Sequence, residues 1–140
     1  MNAVVIGAAK PGYAEAITRK LIKNGFKVIG TYDTEFEENA TKLSKEFSSE
    51  KLTLKSLDLS SRNDLKSFVD DIVDPIDAFV FAQFYFDMEN PDDFNHEIWD
   101  KSIAINLTAP NYLIHELKNK MNAGSSIVIL TSTEGFRGSY

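Results

Sequence analysis

Two stretches of the sequence hold residue types that could do chemistry. The first is "GAAKPGYA", Gly7 to Ala14, between a short apolar run and an amphipathic stretch. A loop joining a strand to a helix can turn its backbone N–H groups toward a phosphate, provided no bulky side chain blocks the approach. Gly7, Gly12 and Ala14 suit the tight-turn, close-approach and helix-packing positions, with Tyr13 between the last two. The Gly-x4-Gly spacing also opens a Walker loop, but that loop continues with Lys-Ser or Lys-Thr. Tyr13-Ala14 stands there instead, which rejects NTP hydrolysis of that type. The second stretch is "IVILTSTEGFRGSY", Ile127 to Tyr140, in which an apolar run ends on the hydroxyls of Thr131, Ser132 and Thr133. The two-residue strand period points Ser132 to one side and its neighbours to the other.

Other chemistries find little support. There is no cysteine, so a disulfide framework or thiolate metal site is ruled out, in keeping with a reducing compartment. His96 and His115 stand far apart and read as helix-surface residues, and "DMENPDD" lacks the spacing of a calcium loop. The formal charge of −6, with no Lys/Arg cluster, argues against nucleic acid as a partner. The N-terminal apolar run, Ala3 to Ile6, is too short for a signal peptide or membrane span. The expectation is a soluble cytoplasmic protein with no membrane partner.

The elements that must position these residues alternate regularly. "AVVIG" (Ala3 to Gly7), "FKVIGTY" (Phe26 to Tyr32), "KLTLKSLDL" (ending near Asp58), "IDAFVFAQF" (Ile76 to Phe84) and "SIVIL" (Ser126 to Leu130) read as strands. Between them lie helical patterns: Tyr13 to Asn24, Glu35 to Phe47, a segment capped by Ser60 or Ser61, one capped by Asn95, and one after Pro110. Gly124 is expected to separate the last helix from the fifth strand. Strictly alternating strands and helices imply an α/β fold, a doubly wound parallel sheet of about five strands with helices on both faces. With 140 residues, one domain over 1–140 is expected. Ligands of such sheets bind beyond the carboxyl ends of the strands. That selects Gly7 to Ala14, Tyr32 and Asp33, Asp58, Ala82 to Phe84, and Thr131 to Glu134. Of the aromatic run, Phe79 and Phe81 read as core, while Phe84, Tyr85 and Phe86 read as a wall of the cleft.

In these positions the sequence resembles the short-chain dehydrogenase/reductase family. Its loop, Thr-Gly-x3-Gly-x-Gly, is matched by "IGAAKPGYA" with Ile6 for Thr, one extra residue, and Ala14 for the last Gly. "LDLSS" matches the family's third-strand end, which implies that Asp58, with Leu59 beside it, meets the adenine. The family's Asn-Asn-Ala-Gly is replaced by Phe81-Ala82-Gln83-Phe84, with Phe84 where Gly is expected. "WDKSIAINLTAP" matches the helix whose Asn, here Asn106, offers a backbone carbonyl to a water of the proton path. "IVILTSTEGFRGS" matches the strand whose catalytic Ser, here Ser132, donates to the substrate carbonyl as charge develops on oxygen.

The resemblance implies a Rossmann-type fold and hydride transfer between NAD or NADP and a carbonyl or alcohol substrate. It leans to NAD, because Tyr32 and Asp33 end the second strand where an acid suits a ribose hydroxyl; Lys10 pulls the other way. Gly7, Gly12, Tyr13, Ala14, Tyr32, Asp33, Asp58, Leu59, Ala82 and Gln83 are implied to bind the cofactor. The family's acid/base Tyr-x3-Lys lies about a dozen residues after the Ser, whereas this sequence ends eight residues after Ser132. The expectation is therefore an incomplete domain, inactive alone. A homo-oligomer through the helix around Tyr112 to Met121 is implied. The alternative is a non-catalytic Rossmann module that binds a nucleotide or protein.

Overall fold

A computed structural model of the chain describes residues 1–87 and 94–133. Five parallel strands form one sheet in the order β3-β2-β1-β4-β5. They are β1 (Asn2–Ile6), β2 (Lys27–Tyr32), β3 (Leu52–Ser56), β4 (Ile76–Phe81) and β5 (Met121–Ile129). The crossovers are α1 (Tyr13–Lys23), a short turn of helix at Thr34–Phe36 leading into α2 (Glu37–Glu46), then α3 (Arg62–Asp70). The last crossover is a longer helical run: α4 (His96–Ile103), a π-helical segment Ala104–Thr108, and α5 (Ala109–Leu117). The order reverses at β1, so β1 lies mid-sheet and the switch point lies between β1 and β4. This is a Rossmann-like fold.

The apolar runs divide between two faces because successive side chains of a strand point to opposite sides. Val4, Ile6, Phe79 and Phe81 face α3 and α5, packing with Leu65, Phe68, Ile105, Leu113 and Leu117. Ala3, Val5, Val28, Val80 and Ala82 face α1 and α2, packing with Ala14, Ala40 and Leu43. In the register, Val4 pairs with Phe79 and Ile6 with Phe81, so large residues line up on one face. Each such buried side chain contributes about 1.5–3 kcal/mol. The second face is built mostly from Ala and Val, which lets α1 and α2 approach closely.

Three boundaries differ from those expected. β4 ends at Phe81 rather than Phe84, because Ala82 N–H bonds to Ile6 O and the chain then leaves the sheet. Gly124 does not separate helix from strand. It sits inside β5 with φ +85°, at an irregularity where Ile76 pairs with Met121 but Ala78 pairs with Ser126. A bulge absorbs the extra residues. The helices around Pro110 are one continuous run, and Met121 begins β5 instead of ending a helix, packed against the core all the same. Pro110 has no N–H for the carbonyl four residues back, which is Asn106. The π-helical widening over Ala104–Thr108 falls where that donor is missing.

Candidate dinucleotide site at the carboxyl end of the sheet

The glycine loop leaves β1 and enters α1 through two backbone conformations closed to most residues. Gly7 has φ +83° and Gly12, the N-cap of α1, has φ +98° and ψ −129°. Glycine reaches both without a Cβ penalty. Around a Cβ at Gly12 there is nothing within 4 Å among the described residues, so the space before the helix is open. No side chain caps α1. The first N–H groups of a helix have no intrahelical partner and carry partial positive charge. An anion therefore fits here.

Side chains from other elements tie this loop down. Gly7 N–H donates to Thr31 Oγ1 at 3.1 Å, in a buried setting. Lys10 N–H closes a turn onto Gly7 O at 2.9 Å. Asn39 Nδ2 donates to Ala9 O at 2.7 Å and to Glu15 Oε2 at 2.9 Å. Thr18 Oγ1, fully buried, donates to Ala8 O at 3.1 Å. Glu15 is held below the usual carboxylate range, first by the Asn39 hydrogen bond and then by Arg19, which also pairs with Glu46. Gly30 in β2 makes room for the loop: a Cβ there would lie 2.4 Å from Ala8 Cβ and 2.8 Å from Leu54 Cδ2.

Of the residues singled out in the sequence, Gly7, Tyr32, Asp33, Leu59 and Gln83 come together around one narrow pocket, joined by Thr31. Its free volume is about 10 Å³, the scale of a single water. Asp33 Oδ1 accepts from Glu35 N–H at 3.2 Å and so caps the short helix after β2. Asp58 is exposed; its Oδ1 accepts from Ser60 N–H at 2.8 Å and Ser60 Oγ at 2.6 Å. It holds the turn before α3, whose cap is Ser61. Ala14 and Ala82 are buried beside the loop.

Ser132 and Asn106 lie outside that pocket. Ser132 follows β5, exposed, two residues beyond Leu130, whose N–H bonds to Phe81 O at 2.9 Å. Asn106 occupies the middle of the π-helical segment. Its side chain clamps the backbone of Tyr85: Tyr85 N–H donates to Oδ1 at 2.9 Å, and Nδ2 donates to Tyr85 O at 2.8 Å. π-Helical turns recur at functional sites, and this one fixes the chain just after β4. Glu134 and most of "DMENPDD" lie outside the described residues.

Phe84 lies over the glycine loop. Its ring stacks on Tyr13 with centroids 6.4 Å apart, and the Lys10 ammonium sits 3.6 Å from its centroid. Lys10 Nζ also reaches Phe84 O at 3.5 Å. Burial pushes the Lys10 amine down, while Glu35 and Asp33 push it back up. Burial also pushes the Tyr13 phenol up. The open helix start and Gly12 fit a pyrophosphate, and the pocket beside Asp33 fits a ribose edge. On the other side, Phe84, Tyr13 and Lys10 lie together across the loop.

The sequence profile of a family described as enoyl-(acyl carrier protein) reductase matches residues 7–139. The chain belongs to the short-chain dehydrogenase/reductase family. Its fold is similar to that of BdcA in complex with NADPH, at 24% identity and a TM-score of 0.86, over 97% of this chain and 53% of that one. It is similar to a blue fluorescent protein from a metagenomic library in complex with NADPH, at 23% identity and TM-score 0.91, over 99% and 58%. The angucycline C-6 ketoreductase LanV with bound NADP gives 21% identity and TM-score 0.88, over 99% and 57%. The chain thus spans between half and three-fifths of these structures. A search of curated proteins finds no match.

Thr31, Asn39 and Gly30 were not singled out from the sequence. An isolated Gly inside a strand pattern signals a close backbone approach, and this signal could have found Gly30. Thr31 and Asn39 bond to residues distant in sequence, and no local pattern announces that.

Proposed function

We propose that the chain is the dinucleotide-binding part of an NAD(P)-dependent oxidoreductase that interconverts a carbonyl and an alcohol. The observation that carries this reading is the uncapped start of α1, reached through Gly7 and Gly12 and open where a Cβ would stand. Gly12 and the first turn of α1 would receive the pyrophosphate, with Tyr13 and Ala14 shaping its approach. Tyr32, Asp33, Asp58 and Leu59 would border the adenosine, and Ala82 and Gln83 the neighbouring ribose side. The nicotinamide supplies or accepts the hydride. Ser132 would donate its hydroxyl proton in a hydrogen bond to the substrate oxygen. The Asn106 carbonyl, which Pro110 cannot satisfy, would hold a water of the proton path.

The acid/base Tyr-x3-Lys expected of the reaction does not occur in this sequence. We therefore assign turnover to a protein that also carries that pair, and expect the 140 residues alone to bind without turning over. NAD is the preferred cofactor in this reading, because the Asp33 carboxylate would repel a 2′-phosphate and Lys10 is engaged with Phe84. A cytoplasmic setting and a carbonyl or alcohol substrate belong to the same proposal.

Fluorescence titration with NADH and NADPH tests it. Binding of NADH, tighter than NADPH, is expected; no binding of either at millimolar concentration overturns the cofactor assignment. A second reading, a non-catalytic module, is favoured by Phe84 and Lys10 lying across the loop. If Phe84→Gly leaves dinucleotide affinity unchanged and undetectable, that reading gains.

A further inference from the structure

The side-chain oxygen Oε1 of Gln83 is buried and has no hydrogen-bond partner among the described residues. Buried acceptors nearly always find a donor, and a low dielectric makes an unpaired one costly. Gly7 lies beside it: a Cβ there would come within 2.8 Å of Oε1. Its N–H already donates to Thr31 Oγ1. Gln83 and Gly7 share the pocket with Asp33, and its volume of about 10 Å³ admits a hydroxyl or a water but not a phosphate or a ring.

We infer that Gln83 Oε1 is the acceptor for an adenosine ribose hydroxyl of the bound dinucleotide, so that Gln83 is a cofactor-positioning residue. This rests on the dinucleotide reading above. The chemistry selects the donor. A hydroxyl can give a hydrogen bond to Oε1, whereas an ionised phosphate offers acceptors only. Asp33 at the same pocket also opposes an anion and accepts from a hydroxyl. The ribose is the part of the ligand that an acid at the end of a second strand meets. The residue that replaces a small one at this place in the family pattern thereby takes a role of its own: it fills the space beside Gly7 and supplies an acceptor there.

The test compares the unmodified chain with Gln83→Met, which keeps the length and removes the acceptor. Binding of ADP-ribose is measured by calorimetry, alongside analogues lacking the adenosine 2′- or 3′-hydroxyl. In the unmodified chain, loss of one of the two hydroxyls weakens binding about 5-fold, the scale of one hydrogen bond. In Gln83→Met, ADP-ribose itself binds about 5-fold more weakly, and removing that hydroxyl costs nothing further. Without ligand, the variant melts about 2–5 °C higher, because the unpaired oxygen is gone. If both proteins bind ADP-ribose equally, or the hydroxyl matters equally in both, the inference is overturned while the dinucleotide reading stands. If the unmodified chain binds neither ADP-ribose nor NADH nor NADPH, both fall. Should Gln83→Met not fold, the analogues on the unmodified chain decide: equal affinity for all three overturns the inference.

Discussion

The corner formed by β1, β2 and α1 and the edge formed by β5 belong to the same sheet but are built differently. In the corner, Ala3, Val4, Val5, Ile6 and Val28 are fully buried. Loop groups there are bonded across long sequence distances, Gly7 to Thr31 and Ala9 to Asn39. At the edge, Ile127, Val128 and Ile129 are 44%, 49% and 48% exposed, although they alternate between the two faces. No charged residue interrupts Met121–Ile129. An apolar edge without charges is a surface that invites pairing. The difference teaches that β5 is held chiefly by its pairing with β4, while the corner is held by packing on both faces and by specific polar ties. A change in the corner should cost far more than the same change at the edge.

The sharpest test is Gly30→Val. With atoms 2.4 and 2.8 Å from even its Cβ, it should destabilise by about 3 kcal/mol or more in urea unfolding. A loss below about 1 kcal/mol would break the comparison. Thr31→Val is next: it leaves the buried Gly7 N–H unpaired and should cost about 2 kcal/mol, read from the same denaturation curves. The Glu15 cluster gives a smaller effect, seen in pH. The folded-state value of Glu15 lies below its unfolded one, so its contribution is present above the ordinary glutamate range and fades as pH falls below about 4. Replacing Glu15 with Gln should flatten that acid slope by about 1 kcal/mol or less. An unchanged slope in thermal melts between pH 3 and 6 would remove the cluster from the account. The smallest effect is Val128→Thr, under about 0.5 kcal/mol. The identical change at Val28, fully buried, buries a hydroxyl and should cost about 2 kcal/mol. Equal losses at Val28 and Val128 would erase the contrast between corner and edge.

The same contrast governs what could be foreseen from the sequence. The strands and the alternation were legible because β1 and β4 are uninterrupted apolar runs and the helices carry apolar residues at three- and four-residue spacing. The glycine loop, Asn95 as a cap and Ser61 as a cap were legible from local residue types. The continuity of α4 through α5 was not, since Pro110 reads as a helix start; only a π-helical segment lets it sit inside a longer run. Gly124 read as a break for a similar reason, and the bulge that retains it inside β5 depends on β4. That Gly7, Tyr32, Asp33 and Gln83 gather around one pocket follows from their places at strand ends. Asp58 spends its carboxylate on two short-range bonds to Ser60, which compete with any ligand.

The strand order carries a consequence for how the chain is made. Of the five described strands β1 is made first, yet it ends in the middle of the sheet, paired to β2 on one side and β4 on the other. Synthesis delivers β2 and β3 first, both on one flank. Until Phe81 has emerged, the opposite edge of β1 has no native partner, and Val4 and Ile6 lack the neighbours Phe79 and Phe81. The nascent chain therefore passes through a three-stranded stage with its most apolar strand unprotected on one edge. Such stages are where chaperones bind and where misassembly starts.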